Sequence, residues 1–91
     1  MAFSDRANLV VEEIEREFSL ELGNRQSHAS DRQLEFILSR VLAMSDEWKG
    51  GRLPPKSFRH PTLSYLIVDQ WPLGTELGRK IIELEEEYLR L

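Results

Sequence analysis

The sequence predicts an all-α protein: a small helical bundle of three long helices and one short helix, forming a single domain over residues 1–91. Three segments repeat apolar residues at steps of three and four, the spacing that places side chains on one face of a helix. Glycine or proline residues separate these segments, as expected of helix ends. A chain of 91 residues is long enough for one modest core. We therefore expect the apolar faces to share a single core.

The central helix is predicted from Ser30 to Gly51. Ser30 precedes Gln33 by the capping-box spacing, in which the serine hydroxyl and the glutamine side chain each bond a free amide of the first turn. Lys49 in the last turn, followed by Gly50-Gly51, is a typical helix end. The apolar face consists of Leu34, Ile37, Leu38, Val41, Leu42, Met44 and Trp48. So broad a face needs other helices to cover it.

The first helix is predicted from Ser4 to Leu22, with Ser4 as its N-cap and Asp5 in its first turn. Its apolar stripe comprises Ala7, Val10, Val11, Ile14, Phe18 and Leu22. Gly23-Asn24 supplies the residues that end a helix in a left-handed conformation. The connection from there to Ala29 is short and polar, so we expect the first two helices to form an antiparallel hairpin.

A short third helix is predicted from Pro61 to Gln70, because proline is favoured in the first turn and Leu63, Leu66 and Ile67 follow at helical spacing. Residues 65–68 also have the propensity of a buried strand. No second strand candidate is present to pair with them, and we therefore predict a helix.

The last helix is predicted from Thr75, its N-cap, to the final residue. Its seam is Leu77, Ile81, Leu84, Tyr88 and Leu91. Gly78 in its first turn weakens a helix by about 1 kcal/mol relative to alanine, so it predicts a close approach to another backbone. Ile82 and Leu89 form a second apolar flank, wider than one groove between two helices covers. We therefore predict a homodimer with this helix, and part of the first, at the interface.

Composition excludes several classes of function. The chain has no cysteine, and therefore no disulfide or thiol nucleophile. The N-terminal residues lack a basic region followed by an apolar run, and the longest apolar stretch, residues 65–68, is far too short to span a membrane. We expect a cytoplasmic protein that does not enter membranes. The net charge of −4 argues against general affinity for nucleic acid or anionic lipid.

No residue pattern points to catalysis, a cofactor or a metal. The two histidines, His28 and His60, lie in predicted loops and belong to neither a Glu-x-x-His nor a His-x-x-x-His pair. The carboxylates lack the alternating pattern of a calcium loop. No spacing forces a nucleophile or an acid against a base. The sequence therefore predicts a protein that is not an enzyme.

The most informative polar feature is the segment of residues 49–60, here called the basic loop. It contains no acidic residue, and Pro54-Pro55 stiffens it. Phe58 lies among its cations, which are Lys49, Arg52, Lys56 and Arg59. Cations with an aromatic ring suit a phosphate or nucleic-acid surface. The simpler alternative is that they neutralise acidic helix faces, within the fold or across a dimer.

Two apolar residues just after the short helix, Trp71 and Leu73, add to the hypothesis that this region binds a partner. Trp71, Leu73 and Phe58 would anchor a partner if they were exposed together, whereas the alternative is that the aromatic residues of this region, Trp48, Phe58, Tyr65 and Trp71, belong to the core. We interpret the chain as a non-enzymatic regulatory or adaptor protein that binds another protein through helical surfaces and the basic loop. The predicted partner-binding residues are Arg52, Lys56, Phe58, Arg59, Trp71 and Leu73. The alternative is a nucleic-acid-associated protein that uses Lys49 to His60.

Overall fold

The four predicted helices are all present in the computed structural model, which describes residues 1–91 and contains no β-strand. The helices are α1 (Phe3–Ser19), α2 (Asp31–Lys49), α3 (Thr62–Gln70) and α4 (Glu76–Arg90). Single 3₁₀ turns lie in two connections, at Leu22–Asn24 and Lys56–Phe58. The all-α prediction is confirmed, and residues 65–68 are helical rather than extended.

Contacts at the helix ends show how the helices run. Phe3 at the start of α1 lies against Trp48 at the end of α2, with ring centroids 6.3 Å apart, so α1 and α2 pack as an antiparallel pair. Lys80 near the start of α4 pairs with Glu13 of α1, which makes α4 antiparallel to α1 as well. One end of the bundle therefore holds the basic loop, and the opposite end holds the α1–α2 and α3–α4 connections.

Helix α3 packs against α4 through the site that Gly78 marks. A Cβ atom at residue 78 would lie 3.0 Å from Cγ2 of Ile67 and 3.3 Å from the Trp71 ring. That space is tighter than an ordinary methyl contact, so an alanine would require the Ile67 and Trp71 side chains to shift by a few tenths of an ångström. Gly78 therefore marks a close contact, but with side chains of the neighbouring segment rather than with the backbone that the sequence predicts.

The core draws on all four helices. Buried apolar residues include Phe3, Ala7, Val10 and Ile14 of α1, Leu34, Ile37, Val41 and Met44 of α2, Leu63 and Ile67 of α3, and Leu77, Ile81, Leu84 and Tyr88 of α4. Four residues of the predicted α4 seam are thus covered within one subunit, while Ile82 and Leu89 are half-buried. Burial of α4 does not require a second copy, and the homodimer stays a prediction.

Helix α1 differs from its prediction at both ends. It begins at Phe3 with Ala2 as N-cap rather than Ser4, and the Ala2 amide donates to the Asp5 carboxylate at 3.1 Å. It ends at Ser19 instead of Leu22. The buried face is also rotated: Val10 and Glu17 are buried, Val11 and Phe18 are half-buried, and Leu22 is exposed.

A polar cluster in the α1–α2 connection explains where α1 ends. The Arg25 guanidinium is buried, and its Nε donates to the carbonyls of Glu17 at 3.0 Å and Leu20 at 3.1 Å. Its two Nη atoms reach the Ala29 carbonyl at 2.9 Å and the Asp31 carboxylate at 2.6 Å. Arg25 thereby supplies a donor to the Leu20 carbonyl just past the end of α1, and it adds a second donor to the Glu17 carbonyl, which already accepts from the Leu20 amide.

The Glu17 carboxylate completes this cluster from the other side. It accepts from the backbone amides of Gln26 and Ser27, both at 3.2 Å, and from the Ser27 hydroxyl at 2.7 Å. Because a buried carboxylate is costly unless it is fully hydrogen-bonded, these contacts account for an acid on the core face of α1.

None of the four helices is both long enough and apolar enough to cross a lipid bilayer.

Candidate protein-binding surface

Arg59 of the basic loop is a structural residue. Its Nη1 donates to the carbonyls of Tyr88 at 2.9 Å and Leu91 at 2.8 Å, and its Nε donates to the Pro54 carbonyl at 2.8 Å. The guanidinium also lies 5.6 Å from the centre of the Tyr88 ring, a cation–π contact. Arg59 therefore caps the C-terminal end of α4 and attaches the basic loop to it.

Replacing Arg59 by alanine is expected to lower the free energy of unfolding by roughly 1–2 kcal/mol, because hydrogen bonds from a charged group to three carbonyls are lost. Lysine should not restore the stability, since a single ammonium does not reproduce the forked geometry. Urea denaturation measures the change, with the exposed Arg52→Ala as the matched control. Equal stabilities of the two alanine variants would contradict the capping role.

The other predicted residues of the basic loop are accessible. Arg52 and Lys56 are exposed, and the Phe58 ring is 70% exposed at the end of the second 3₁₀ turn. Neither Arg52 nor Lys56 forms an ion pair within the subunit, so these two cations do not pair with acidic helix faces inside the fold, and pairing across a dimer stays a prediction. Arg59 binds carbonyl oxygens rather than carboxylates.

Trp71 and Leu73 lie only two residues apart but in opposite environments. Trp71 is buried, and its Nε1 donates to the Gln33 side chain at 2.9 Å, so it belongs to the core. Leu73 is 97% exposed. It follows the C-terminal end of α3, whereas Phe58 precedes the N-terminal end. The structure therefore does not bring Trp71, Leu73 and Phe58 together into one exposed cluster.

Helix α3 adds two exposed residues that the sequence interpretation missed. Tyr65 is 68% exposed and Val68 is 66% exposed, one helical turn apart, while Leu63 and Ile67 are buried on the other side. Phe58, Tyr65, Val68 and Leu73 are here called the α3 surface. Apart from Met1, they are the most exposed large hydrophobic residues of the chain. A sequence signal for these two residues existed: Tyr65 and Val68 are three residues apart and do not share the helix face of Leu63 and Ile67.

The C-terminal part of the α3 surface borders a groove between α3 and α4 of about 460 Å³. Val68, Trp71, Leu73 and Ile82 contribute its apolar part, and Glu83 and Glu86 lie on its α4 side. A second cleft, of about 340 Å³, lies between α1 and α4. Its opposite charges are matched within the chain, by the pairs Arg6–Glu87 and Lys80–Glu13. The α3–α4 groove is the more apolar of the two.

The side chain of Tyr88, whose carbonyl accepts a hydrogen bond from Arg59, has the most clearly shifted pKa of the chain. Burial raises the pKa of its phenol to about 12, and the hydrogen bond to Glu47, 2.8 Å long, adds to the effect. An unfolded tyrosine has a pKa of about 10. The protonated phenol therefore stabilises the fold fully below pH 10, and this contribution is lost as the pH rises from 10 to 12.

We expect the free energy of unfolding to fall in this pH window, with a contribution from Tyr88 of at most about 1.4 kcal/mol per pH unit. Urea denaturation of the wild type and of Tyr88→Phe at a series of pH values measures it. The difference in free energy of unfolding between the wild type and Tyr88→Phe should narrow as the pH rises from about 10 to about 12. Parallel curves for the two proteins would contradict the assignment.

No group of three or more His, Asp or Glu side chains is arranged to hold a metal ion. Comparison with protein-family models and with curated proteins finds no match to this sequence.

Proposed function

We propose that this chain is a non-enzymatic adaptor or regulatory protein that binds another protein through the α3 surface and the adjoining basic loop. The observation that supports this proposal is the concentration of exposed apolar side chains in residues 58–73, where Phe58, Tyr65, Val68 and Leu73 are each at least 66% exposed. Apolar surface on a monomer that carries a complete core elsewhere is typical of interaction sites.

The partner-binding residues named from the sequence take different parts in this proposal. Phe58 and Leu73 are contact residues, with Arg52 and Lys56 as accessible cations of the basic loop. Arg59 positions the loop, and Trp71 supports the turn that presents Leu73. Tyr65 and Val68 join the contact residues.

The test compares matched pairs of exposed residues. One double variant, Val68→Asp with Leu73→Asp, alters the α3 surface. The control is the double variant Phe36→Asp with Leu42→Asp, which changes two α2 residues that are each 43% exposed. Each variant is used as bait beside the wild type, with captured proteins quantified by mass spectrometry. Loss of the apolar side chains of Val68 and Leu73 should weaken capture of a partner protein at least tenfold.

The control pair should retain the same partner, and circular dichroism should show that both variants are folded. A partner held equally by the wild type and the α3-surface variant would contradict the proposal, as would equal loss from both variants. Binding of the purified partner, titrated by calorimetry, then gives the affinity directly.

Two predictions from the sequence accompany this proposal. A homodimer would use α4, whose flank residues Ile82 and Leu89 are half-buried, together with part of α1, and a sedimentation mass near 10.7 kDa at micromolar concentration would contradict it. The cytoplasmic location also stays a prediction, and imaging of the tagged protein in its own cells tests it.

Nucleic-acid binding by the basic loop is the second candidate, and the exposed ring of Phe58 beside Lys56 favours it. With Arg59 bound to carbonyls, three cations are available: Lys49, Arg52 and Lys56. Three phosphate contacts predict that the logarithm of the affinity for single-stranded RNA falls with the logarithm of the salt concentration at a slope of roughly −2. Absence of this dependence would remove the candidate.

A further inference from the structure

The α3–α4 groove has the shape and the surface of a helix-binding site. Its two walls are antiparallel helices held close together at Gly78, where Ile67 and Trp71 fill the place of a side chain. Val68, Leu73 and Ile82 expose apolar surface along it. A groove between two packed helices accepts the apolar ridge of a third helix, which is the general mode by which helices pack.

The groove carries negative charge on its α4 side. Arg79 is its single cation, and the Arg79 guanidinium is already bound by two carboxylates, those of Glu76 and Glu83. Glu86 is exposed and forms no ion pair. The carboxylates of Glu76, Glu83 and Glu86 and the one guanidinium together give a local charge of −2 on the α4 side. Cations on the occupant would complement this charge.

The turn that carries Leu73 is held in place before any partner arrives. Trp71 on one side is anchored to Gln33, and the Thr75 hydroxyl on the other side donates to the Pro72 carbonyl at 2.6 Å. Gly74 has φ +77°, a conformation that glycine adopts without strain. Because the backbone of the turn is already fixed, binding of Leu73 costs little backbone entropy.

We propose that the groove binds a basic amphipathic helix of a partner protein, with its apolar face on Val68, Leu73 and Ile82 and its cations against Glu83 and Glu86. This inference rests on the proposed function and names the chemistry of the partner. Helices α1 and α4 of a second copy do not qualify as the occupant, because their exposed faces are rich in glutamate. The cations of the basic loop lie outside any α-helix except Lys49.

The test uses two synthetic 15-residue peptides with identical leucine positions, one with a lysine polar face and one with a glutamate polar face. Fluorescence anisotropy measures their binding to the wild type, Leu73→Ser and Glu86→Lys. Leu42→Ser and Glu35→Lys on α2 are controls with the same chemical change away from the groove. The lysine peptide should bind the wild type at least tenfold more tightly than the glutamate peptide does.

Each groove variant should weaken binding of the lysine peptide roughly threefold to tenfold, with the α2 controls within about twofold of the wild type. Equal weakening by Glu35→Lys would show a general charge effect and overturn the inference. If no lysine peptide binds while partner capture still depends on Val68 and Leu73, the proposed function stands and the helix inference fails. Self-association that Leu73→Ser abolishes would assign the groove to a second copy and overturn the inference as well.

Discussion

Replacing Glu85 by alanine is expected to lower the free energy of unfolding by roughly 2–4 kcal/mol, because buried donors at the start of α3 lose their acceptor. The Glu85 carboxylate is buried and accepts from the amide of Leu63 at 3.0 Å and from the amide and hydroxyl of Ser64 at 2.8 and 2.7 Å. Pro61 at the N-cap position of α3 has no side chain that can cap the helix. The cap therefore comes from α4 instead.

Urea denaturation measures the change, and Glu86→Ala is the matched control. Glu86 neighbours Glu85 in sequence but is exposed, so its loss should alter the stability by no more than about 0.5 kcal/mol. Glu85→Gln should fall between the two, since the glutamine amide group keeps one acceptor atom and replaces the other with a donor. If Glu85→Ala and Glu86→Ala unfold at the same urea concentration, the carboxylate does not hold α3.

Arg25→Ala is expected to destabilise the fold by roughly 3 kcal/mol or more, since five hydrogen bonds from the buried guanidinium are lost and the buried Ala29 carbonyl would stay without a donor. For a domain of this size, that loss lowers the unfolding temperature by more than about 10 °C. Arg25→Lys should recover little of it, because one ammonium cannot reach acceptors on both sides of the connection. Thermal unfolding followed by circular dichroism measures the effect.

The exposed Arg32→Ala, in the first turn of α2, is the control for Arg25→Ala and should change the unfolding temperature by less than about 3 °C. A shift of the same size in both variants would mean that general charge, rather than the buried hydrogen bonds, stabilises the connection.

Sequence periodicity was sufficient for the parts of the fold that local chemistry determines. Ser30 caps α2 as predicted, since its hydroxyl accepts from the Gln33 amide at 3.2 Å. The Gln33 side chain does not complete the capping box. It binds Gln70 at 2.8 Å and Trp71 at 2.9 Å, partners that lie far away in the chain. A local pattern cannot report such a competing contact.

The buried glutamates show the same limit. Glu85 lies in a run of acids, Glu83 to Glu87, that reads as a solvated face, and only its contact with α3 explains its burial. Glu17 lies on the core face of α1, where Phe18 was predicted, because residues of the following connection surround its carboxylate. Apolar periodicity carries no information on these positions.

The candidate site was predictable only in part. The sequence left the exposure of Phe58 and Leu73 open, and the opposite environments of Trp71 and Leu73 depend on how the turn is anchored. Arg59 has the same chemical character as Arg52, and only the arrival of the α4 C-terminus beside the basic loop gives it a different role.

The length of α3 has a practical consequence for inhibitor design. At nine residues, this helix is shorter than the 12–15 residues or so that isolated peptides need to stay helical in water. A linear peptide copied from residues 58–73 would therefore lose the arrangement of its side chains, and a competitor based on it would require a chemical staple or a grafted scaffold.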